Sequence, residues 1–159
     1  MKNDFTQYVD KDSVMFLTGK TKLEVMDQLI TRVAELTKLS RDVIFRLTWK
    51  REQMMTTGVG GMLALPHIRI NDVLHPYVIV GVCQNPITDY QGLDDLPVRV
   101  IVFTVAPDEN QEAYLQLLSS ISRRLRNPKL IEQLISVAGQ TEGNTVEVLK
   151  VIQQEADPQ

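Results

Sequence analysis

The sequence predicts a single α/β domain, an α/β/α sandwich in which a mixed β-sheet is flanked by helices. Two nearly continuous apolar runs, Tyr77–Val82 and Val98–Val105, are rich in β-branched residues, which is typical of central strands covered on both faces. Amphipathic helical patterns precede and follow these runs. The length of 159 residues fits one domain, so residues 1–159 are assigned to one unit with residues 152–159 as a frayed tail.

The first half of the chain predicts one strand and two helices. Val14–Leu17 has the apolar character of a short strand, and Thr21 with Glu24 has the spacing of a capping box that begins a helix. The inward face of this helix is predicted to consist of Leu23, Met26, Leu29, Ile30, Val33 and Leu36. Ser40 is expected to cap a second helix, which ends near Met54 because the glycine-rich segment that follows cannot continue it.

The second half of the chain predicts the rest of the sheet and three more helices. Leu63–Leu65 is a further short apolar strand, and Asn110–Arg126 has a helical period that ends in arginines, which complement the helix dipole. Asn127–Pro128 has the pattern of an N-cap followed by a proline, and Gly139 is expected just beyond the end of that helix. Asn144 is expected to open the last helix.

The composition excludes several classes of function. The formal net charge of -3 and the pI of about 5.4 lack the basic excess of a nucleic-acid binder, so no nucleic-acid partner is expected. The single cysteine, Cys83, cannot form an internal disulfide and is expected to be a buried small hydrophobe. No window approaches the roughly 18 apolar residues of a membrane span, so a cytoplasmic location without membrane insertion is predicted.

The segment from residue 51 to residue 67 carries the residue types of a phosphoryl-transfer site. It contains an arginine, hydroxyl side chains, glycines whose backbone N–H groups can approach an anion, and His67 as a nucleophile. A neutral imidazole, with an ordinary pKa of about 6.5, has a free lone pair at neutral pH, which suits a relay better than a hydrolase. Pro66 pushes Leu65 to an extended conformation and so holds the backbone of His67 rigidly.

Nucleotide and metal sites are not expected in this segment. A Walker phosphate loop would need a lysine, and a dinucleotide fingerprint would need a glycine where Leu63 stands. His67 and His75 have no neighbouring cysteine and too few carboxylates for a zinc site. No metal and no cofactor are therefore predicted, and His75, which precedes Pro76, is expected to be a solvated turn residue.

The same segment resembles the active-site signature of enzyme IIA of the bacterial phosphotransferase system, of the fructose/mannitol (type 2) and nitrogen-regulatory class. That signature is roughly Arg-Glu-x-x-x-Ser/Thr-Thr-Gly-Ile-Gly-x-Gly-x-Ala-x-Pro-His. The matching positions here are Arg51, Glu52, Thr56, Thr57, Gly58, Gly60, Ala64, Pro66 and His67. The resemblance extends more loosely over most of the chain and implies a IIA type-2-like fold.

The resemblance implies a phosphocarrier of a phosphoenolpyruvate-dependent phosphotransferase system. His67 would accept the phosphoryl group and form a phosphohistidine intermediate, and Arg51 would stabilise that group. The residues lining the site would be Thr56, Thr57, Gly58, Gly60 and Tyr114. The donor would be the phosphorylated histidine-containing phosphocarrier protein, and the acceptor would be a IIB component in sugar transport or a regulatory target in nitrogen regulation. The sequence leaves open whether the chain forms a homo-oligomer.

Two positions depart from the pattern of the family. Tyr114 stands where a second active-site histidine is usual, and a phenol, with an ordinary pKa of about 10, cannot share a proton near neutrality. Met62 stands where the family prefers glycine, and because methionine is strained at a positive φ, we expect a shifted loop there. These departures support the alternative of a regulatory or protein-binding module that is impaired in transfer. Met54, Met55 and Met62 either pack in the core or form an adaptable docking surface.

Overall fold

A mixed six-stranded β-sheet lies between two layers of helices in the computed structural model, which describes residues 4–154. The strands are β1 (Val14–Leu17), β2 (Gly58–Gly60), β3 (Leu63–Ala64), β4 (His67–Arg69), β5 (Tyr77–Ile87) and β6 (Val98–Ala106). The helices are α1 (Lys22–Thr37), α2 (Arg41–Met54), α3 (Gln111–Leu125), α4 (Pro128–Gln140) and α5 (Thr145–Gln153). Two short 3₁₀ helices, Phe5–Tyr8 and Lys11–Ser13, precede β1. The predicted fold class is confirmed.

The order of strands in the sheet is β1-β5-β6-β3-β2, and β4 also pairs with β6. Strands β5 and β6 are antiparallel, whereas β3 and β4 both run parallel to β6. Leu63 pairs with Val100 and His67 pairs with Thr104, so β3 and β4 keep the same register against β6. β3 and β4 therefore lie end to end along β6, with a break at Leu65–Pro66. The carbonyl of the proline still accepts the N–H of Thr104, at 3.0 Å.

Each face of the sheet has its own hydrophobic core, because successive residues of a strand point to opposite faces. Val78, Val80 and Val82 of β5 pack with the buried residues of α3, α4 and α5. Ile79 of the same strand packs on the other face with the buried residues of α1 and α2. Both faces of the central strands are therefore covered, as their near-continuous apolar sequence predicts.

The predicted helix starts are confirmed by their capping hydrogen bonds. Each of the five N-cap side chains accepts a hydrogen bond from a backbone N–H in the first turn of its helix, and these residues are Thr21, Ser40, Asn110, Asn127 and Asn144. A cap of this type typically contributes about 1 kcal/mol to stability. The predicted end of α2 at Met54 is also confirmed.

Two helices differ in detail from the prediction. Leu23 is 57% exposed in the first turn of α1, and Val25 is buried in that turn instead. Helix α4 continues through Gly139, which was expected just beyond its end. The turn after α4 is made at Gly143, which has φ +81° and therefore adopts the left-handed conformation that glycine accepts most readily.

The tail and the shortest strands were predicted least well. Ile152, assigned to the tail, is buried within α5, and residues 155–159 of the tail lie outside the described residues. The sequence pattern does not predict β2 and β4, because three-residue strands containing glycine or charged side chains have no apolar run to mark them.

No helix among residues 4–154 is long and apolar enough to cross a membrane. The cytoplasmic location stays a prediction.

Candidate functional site

His67 is the first residue of β4, and its imidazole is oriented by the chain just before it. The Nδ1 atom lies 2.9 Å from the carbonyl oxygen of Leu65. Because a carbonyl oxygen only accepts hydrogen bonds, Nδ1 carries the proton of the neutral ring. The lone pair therefore resides on Nε2, and this is the nitrogen that can act as a nucleophile.

The protonation of His67 is set by its surroundings. Burial lowers the pKa of the imidazole, and the positive charge of Arg51 lowers it further. The hydrogen bond to Leu65 and the carboxylate of Glu52 act in the opposite direction, but they do not outweigh the first two effects. The imidazole is consequently neutral at neutral pH, as a nucleophile must be.

A shallow cavity of about 250 Å³ lies against His67 and is shared by two helices and one strand. Its lining residues are Leu47, Lys50, Arg51 and Met54 from α2, His67, Ile68 and Arg69 from β4, and Tyr114 from α3. Arg51 Nη1 donates to the carbonyl oxygen of Met55 at 2.7 Å, which fixes the guanidinium at the end of α2. Three of the predicted site residues, His67, Arg51 and Tyr114, thus meet at one cavity.

Tyr114 stands edge-on to the imidazole of His67. The ring centroids of Tyr114 and His67 are 6.0 Å apart and their planes meet at 61°. Burial raises the pKa of Tyr114, although the nearby Arg69 and Arg51 partly oppose this. The phenol is therefore neutral at neutral pH, and it can form hydrogen bonds but cannot exchange a proton as a second imidazole would.

The two threonines of the signature are not among the described residues that line this cavity. Thr57 is buried, and its backbone N–H and Oγ1 donate to the carboxylate of Glu52 at 2.9 and 2.8 Å. The Oγ1 atom of Thr56 donates to the carbonyl oxygen of Gln91 at 2.6 Å and accepts the N–H of Gly58 at 3.2 Å. Both hydroxyl groups are used to hold the loop after α2 in place.

Glu52 is the buried acceptor that ties the end of α2 to this loop. Its carboxylate also accepts a hydrogen bond from Lys22 Nζ at 2.8 Å, and the same ammonium group lies 4.4 Å from the ring centroid of Tyr90. Burial raises the pKa of Glu52, but the hydrogen bonds from Lys22 and Thr57 outweigh it and leave the pKa below its usual value. Glu52 is therefore a charged positioning residue immediately next to Arg51.

The glycines of the signature pack closely against a neighbouring loop. A Cβ atom on Gly58 would lie 2.2 Å from the carbonyl oxygen of Gln91. Gly60 has φ +87°, and the N–H of Gly61 donates to the carboxylate of Asp94 at 2.8 Å. The carboxylate of Asp94 therefore occupies the position next to the Gly61 N–H at which a bound anion would have to lie. Gly58 and Gly60 are not among the described residues that line the His67 cavity.

Met62 adopts the left-handed conformation that glycine accepts most readily. Its φ is +67°, so the expectation of a shifted loop is wrong. The N–H groups of Arg99 and Val100 donate to its carbonyl oxygen at 2.9 and 3.0 Å and hold the turn against β6. The side chain packs against the hydrophobic core. These contacts offset a conformation that typically costs about 1–2 kcal/mol outside glycine.

Arg69 is a cavity residue that the sequence pattern did not predict. Its Cζ atom lies 4.6 Å from the ring centroid of Tyr114. Residues at positions i and i+2 of a strand share a face, so the position of Arg69 follows from that of His67 once β4 is recognised. The sequence pattern did not reveal β4, and for that reason it did not reveal Arg69.

The remaining candidate residues have simple positions in the fold. Met54 and Met55 are 76% and 70% exposed, so the core-packing alternative does not hold for them. Cys83 is fully buried, and this burial raises the pKa of its thiol to about 12. His75 is exposed and its ring stacks on Tyr77, with the two centroids 4.7 Å apart.

The similarity to known proteins covers nearly all of the described chain. The family model for EIIA 2 of the phosphoenolpyruvate-dependent sugar phosphotransferase system matches residues 7–154. A nitrogen regulatory protein from Pseudomonas aeruginosa is 30% identical over 125 residues, which are 78% of this chain and 80% of that protein. The fructose-specific EIIABC component from Bacillus subtilis is 26% identical over 132 residues, which are 82% of this chain but only 21% of that longer protein.

Two solved structures share the fold. The nitrogen regulatory protein IIA-Ntr from Neisseria meningitidis has a TM-score of 0.82 at 19% identity, and the match covers 93% of this chain and 98% of that one. The mannitol IIA enzyme of Escherichia coli, solved in complex with phosphorylated mannitol IIB, has a TM-score of 0.68 at 18% identity, with coverages of 89% and 96%. At these identities the likeness concerns the fold alone.

Proposed function

Since the chain belongs to the EIIA 2 family of the phosphoenolpyruvate-dependent sugar phosphotransferase system, we propose that it is a phosphocarrier that holds a phosphoryl group on His67. The donor is the phosphorylated histidine-containing carrier protein of such a system. The acceptor is a IIB component, or else the phosphorylation state itself acts on a regulatory target. The observation that carries the proposal is an imidazole whose Nδ1–H is bound to Leu65 and whose ring lines a cavity together with Arg51.

In the proposed reaction, Nε2 of His67 attacks the phosphorus atom of the donor's phosphohistidine. A P–N bond forms to Nε2 while the P–N bond of the donor breaks, and the electron pair of that bond returns to the donor nitrogen. Nδ1 keeps its proton throughout, so the hydrogen bond to Leu65 persists in both states. The loose transition state spreads negative charge over three oxygens, which the guanidinium of Arg51 counters.

Glu52 and Thr57 serve this reaction indirectly. Their paired hydrogen bonds join the last turn of α2 to the loop that leads into β2. Because Arg51 lies on the same turn as Glu52, the position of the guanidinium depends on this connection. Transfer depends steeply on such positioning, since a displacement of about 1 Å at a reacting group can cost about a hundredfold in rate.

Tyr114 supports a second candidate function, a regulatory or protein-binding module that keeps the fold without transferring phosphate. A neutral phenol occupies the position where the family usually has a second histidine, so one group that could share a proton is missing. The similarity to nitrogen regulatory proteins is compatible with this function. The two candidates differ in whether His67 is phosphorylated at all.

The deciding experiment is to incubate the protein with the phosphorylated histidine carrier and to measure its intact mass. The wild type and the His75→Ala control are expected to gain the mass of one phosphoryl group, whereas His67→Ala gains none. The control removes the other imidazole, which lies outside the cavity. An unchanged wild-type mass, with a donor that phosphorylates another IIA protein in parallel, would leave the non-catalytic module as the function.

A second measurement separates the two acceptors. The phosphorylated protein is mixed with a fructose- or mannitol-type IIB component and its mass is followed. The solved complex of mannitol IIA with phosphorylated IIB supports this choice of partner. Loss of the phosphoryl group from this chain with its appearance on IIB indicates a role in sugar transport, whereas a persistent phosphoprotein indicates that the phosphorylation state is the signal.

A further inference from the structure

Arg69 is placed by β4 on the same side as the nucleophile. In the sequence His67-Ile68-Arg69 the middle residue points into the core between the sheet and α1 and α2, where it is 5% exposed. The flanking residues therefore point to the opposite face, and their Cα atoms are about 6.6 Å apart for two steps along a strand. Both side chains line the same cavity. The cavity that holds the imidazole is therefore also lined by a positively charged residue.

The guanidinium of Arg69 is held in a fixed orientation by the region where α3 begins. Its Nη1 donates to Gln111 Oε1 at 2.5 Å, and its Nη2 lies 3.4 Å from Asp108 Oδ1. Its Cζ atom lies over the ring of Tyr114, 4.6 Å from the centroid. These contacts involve two of its five N–H donors, and Nε is buried without a partner among the described residues. The group is preorganised but not saturated with hydrogen bonds.

Tyr114 and Arg69 together differ chemically from the histidine that the family usually has at position 114. A protonated histidine there would bring a positive charge and a donor to the phosphoryl group, and a neutral phenol brings no charge. The guanidinium of Arg69, which lies over the phenol ring, is permanently charged. Tyr114 carries no positive charge, but Arg69, two residues after His67 in the chain, brings one to the same cavity.

We propose that Arg69, supported by the ring of Tyr114, is a second phosphoryl-binding guanidinium of this site. The phosphoryl group on Nε2 of His67 is then flanked by Arg51 from α2 and by Arg69 from β4. In this arrangement Tyr114 acts as a positioning residue for the guanidinium and not as a proton carrier. This inference rests on the proposed phosphorylation of His67.

The test compares the ionisation of the phosphoryl group in wild type and Arg69→Gln. Each protein is phosphorylated with the phosphorylated histidine carrier, or chemically with phosphoramidate, and the phosphohistidine is titrated by ³¹P NMR. Because a guanidinium favours the doubly charged phosphoryl group, its removal is expected to raise the pKa of that group by about one unit. Phosphorylation by the carrier is expected to slow by about tenfold or more.

Four other variants separate a direct role from a structural one. Arg69→Lys keeps the charge and is expected to keep most of the lowered phosphoryl pKa. Tyr114→Leu removes the aromatic support and is expected to raise that pKa more than Tyr114→Phe does. Arg126→Gln removes an exposed arginine at the C-terminal end of α3 and is expected to leave the pKa unchanged. Thermal unfolding shows that each variant is folded.

Each result decides between the two proposals. If the wild type is labelled and Arg69→Gln has the same phosphoryl pKa, the role of Arg69 is refuted while phosphorylation of His67 stands. If the carrier fails but phosphoramidate labels His67, the titration still tests Arg69, and only the proposed donor falls. If neither reagent labels the wild type, both the phosphocarrier function and the second guanidinium are refuted.

Discussion

The carbonyl oxygen of Leu65 lies 2.9 Å from Nδ1 of His67, so the tautomer of this imidazole is fixed by a residue two positions earlier in the same chain. The intervening Pro66 has no N–H and interrupts the line of strand formed by β3 and β4. The imidazole is thus oriented through Nδ1 by a backbone group and not by a side chain. The site therefore has an imidazole held by the backbone, with cationic side chains supplied by α2 and β4.

The first prediction concerns this tautomer. In His75→Gln only one imidazole remains, because the chain has two histidines. At neutral pH the ¹⁵N signals of His67 are expected to show a protonated Nδ1 and an unprotonated Nε2, since only a donor can bind the Leu65 carbonyl. A ring protonated on Nε2 would contradict the proposed nucleophile.

The second prediction concerns the effect of Arg51 on the pKa of His67. The positive charge of Arg51 lowers that pKa, so Arg51→Gln in the His75→Gln background is expected to raise it. The sign follows because removal of a cation makes the imidazolium less unfavourable. Consequently the variant should protonate, and lose its free lone pair, at a higher pH than the parent. An NMR titration of the imidazole measures both values, and Arg126→Gln is the control, for which no change is expected.

The third prediction concerns Glu52 as a structural charge. Glu52→Gln leaves the ammonium of Lys22 without its carboxylate, and loss of one partner of such a buried pair is expected to lower the free energy of unfolding by about 3 kcal/mol at neutral pH. Glu132→Gln changes an exposed carboxylate on α4 and is expected to stay within about 0.5 kcal/mol of wild type. Urea unfolding measures both changes.

The dependence of this effect on pH has a definite sign. The pKa of Glu52 is lowered in the folded protein, so its stabilising contribution is present above the ordinary pKa of 4.5 and is lost as pH falls through the lower, folded value. The difference between wild type and Glu52→Gln should therefore shrink on acidification. A difference that stays constant down to the acid transition would show that the carboxylate charge is not the cause.

The fourth prediction compares the replacement of glycine by alanine at Gly58 and at Gly139. Gly58→Ala would place a Cβ atom 2.2 Å from the carbonyl oxygen of Gln91, and the forced displacement is expected to cost about 1–3 kcal/mol. Gly139→Ala lies inside α4, where the new Cβ would meet nothing within 4 Å beyond the helix's own neighbouring backbone, so it is expected to gain about 0.5–1 kcal/mol. Thermal and urea unfolding should thus give opposite signs, and a neutral Gly58→Ala would contradict the close packing of the signature loop.

Much of the fold could be predicted because it depends on local signals. The caps at Thr21, Ser40 and Asn144 and the apolar runs of β5 and β6 are readable within a few neighbouring residues. The short strand β4 could not be predicted, because its three residues pair with β6 across a long stretch of sequence. Arg69 was missed for the same reason.

The site was predictable in part. His67 and Arg51 were predicted through the family signature, and Tyr114 was predicted as a departure from the family pattern; the structure brings all three to one cavity. The hydroxyls of Thr56 and Thr57 were expected beside the phosphoryl group, but each is held by a distant or buried partner that the sequence does not reveal. The strain at Met62 was also misjudged, because the carbonyl contacts that hold the turn come from β6.

The shared register of β3 and β4 restricts how the stretch from Ala64 to His67 can vary. The number of residues in this stretch is bound to the two-residue repeat of the strand. One added residue would turn the imidazole toward the core of α1 and α2, and two added residues would restore its side but move it by about 6.6 Å along β6. Insertions and deletions between Ala64 and His67 would therefore move the imidazole away from Arg51 and Tyr114.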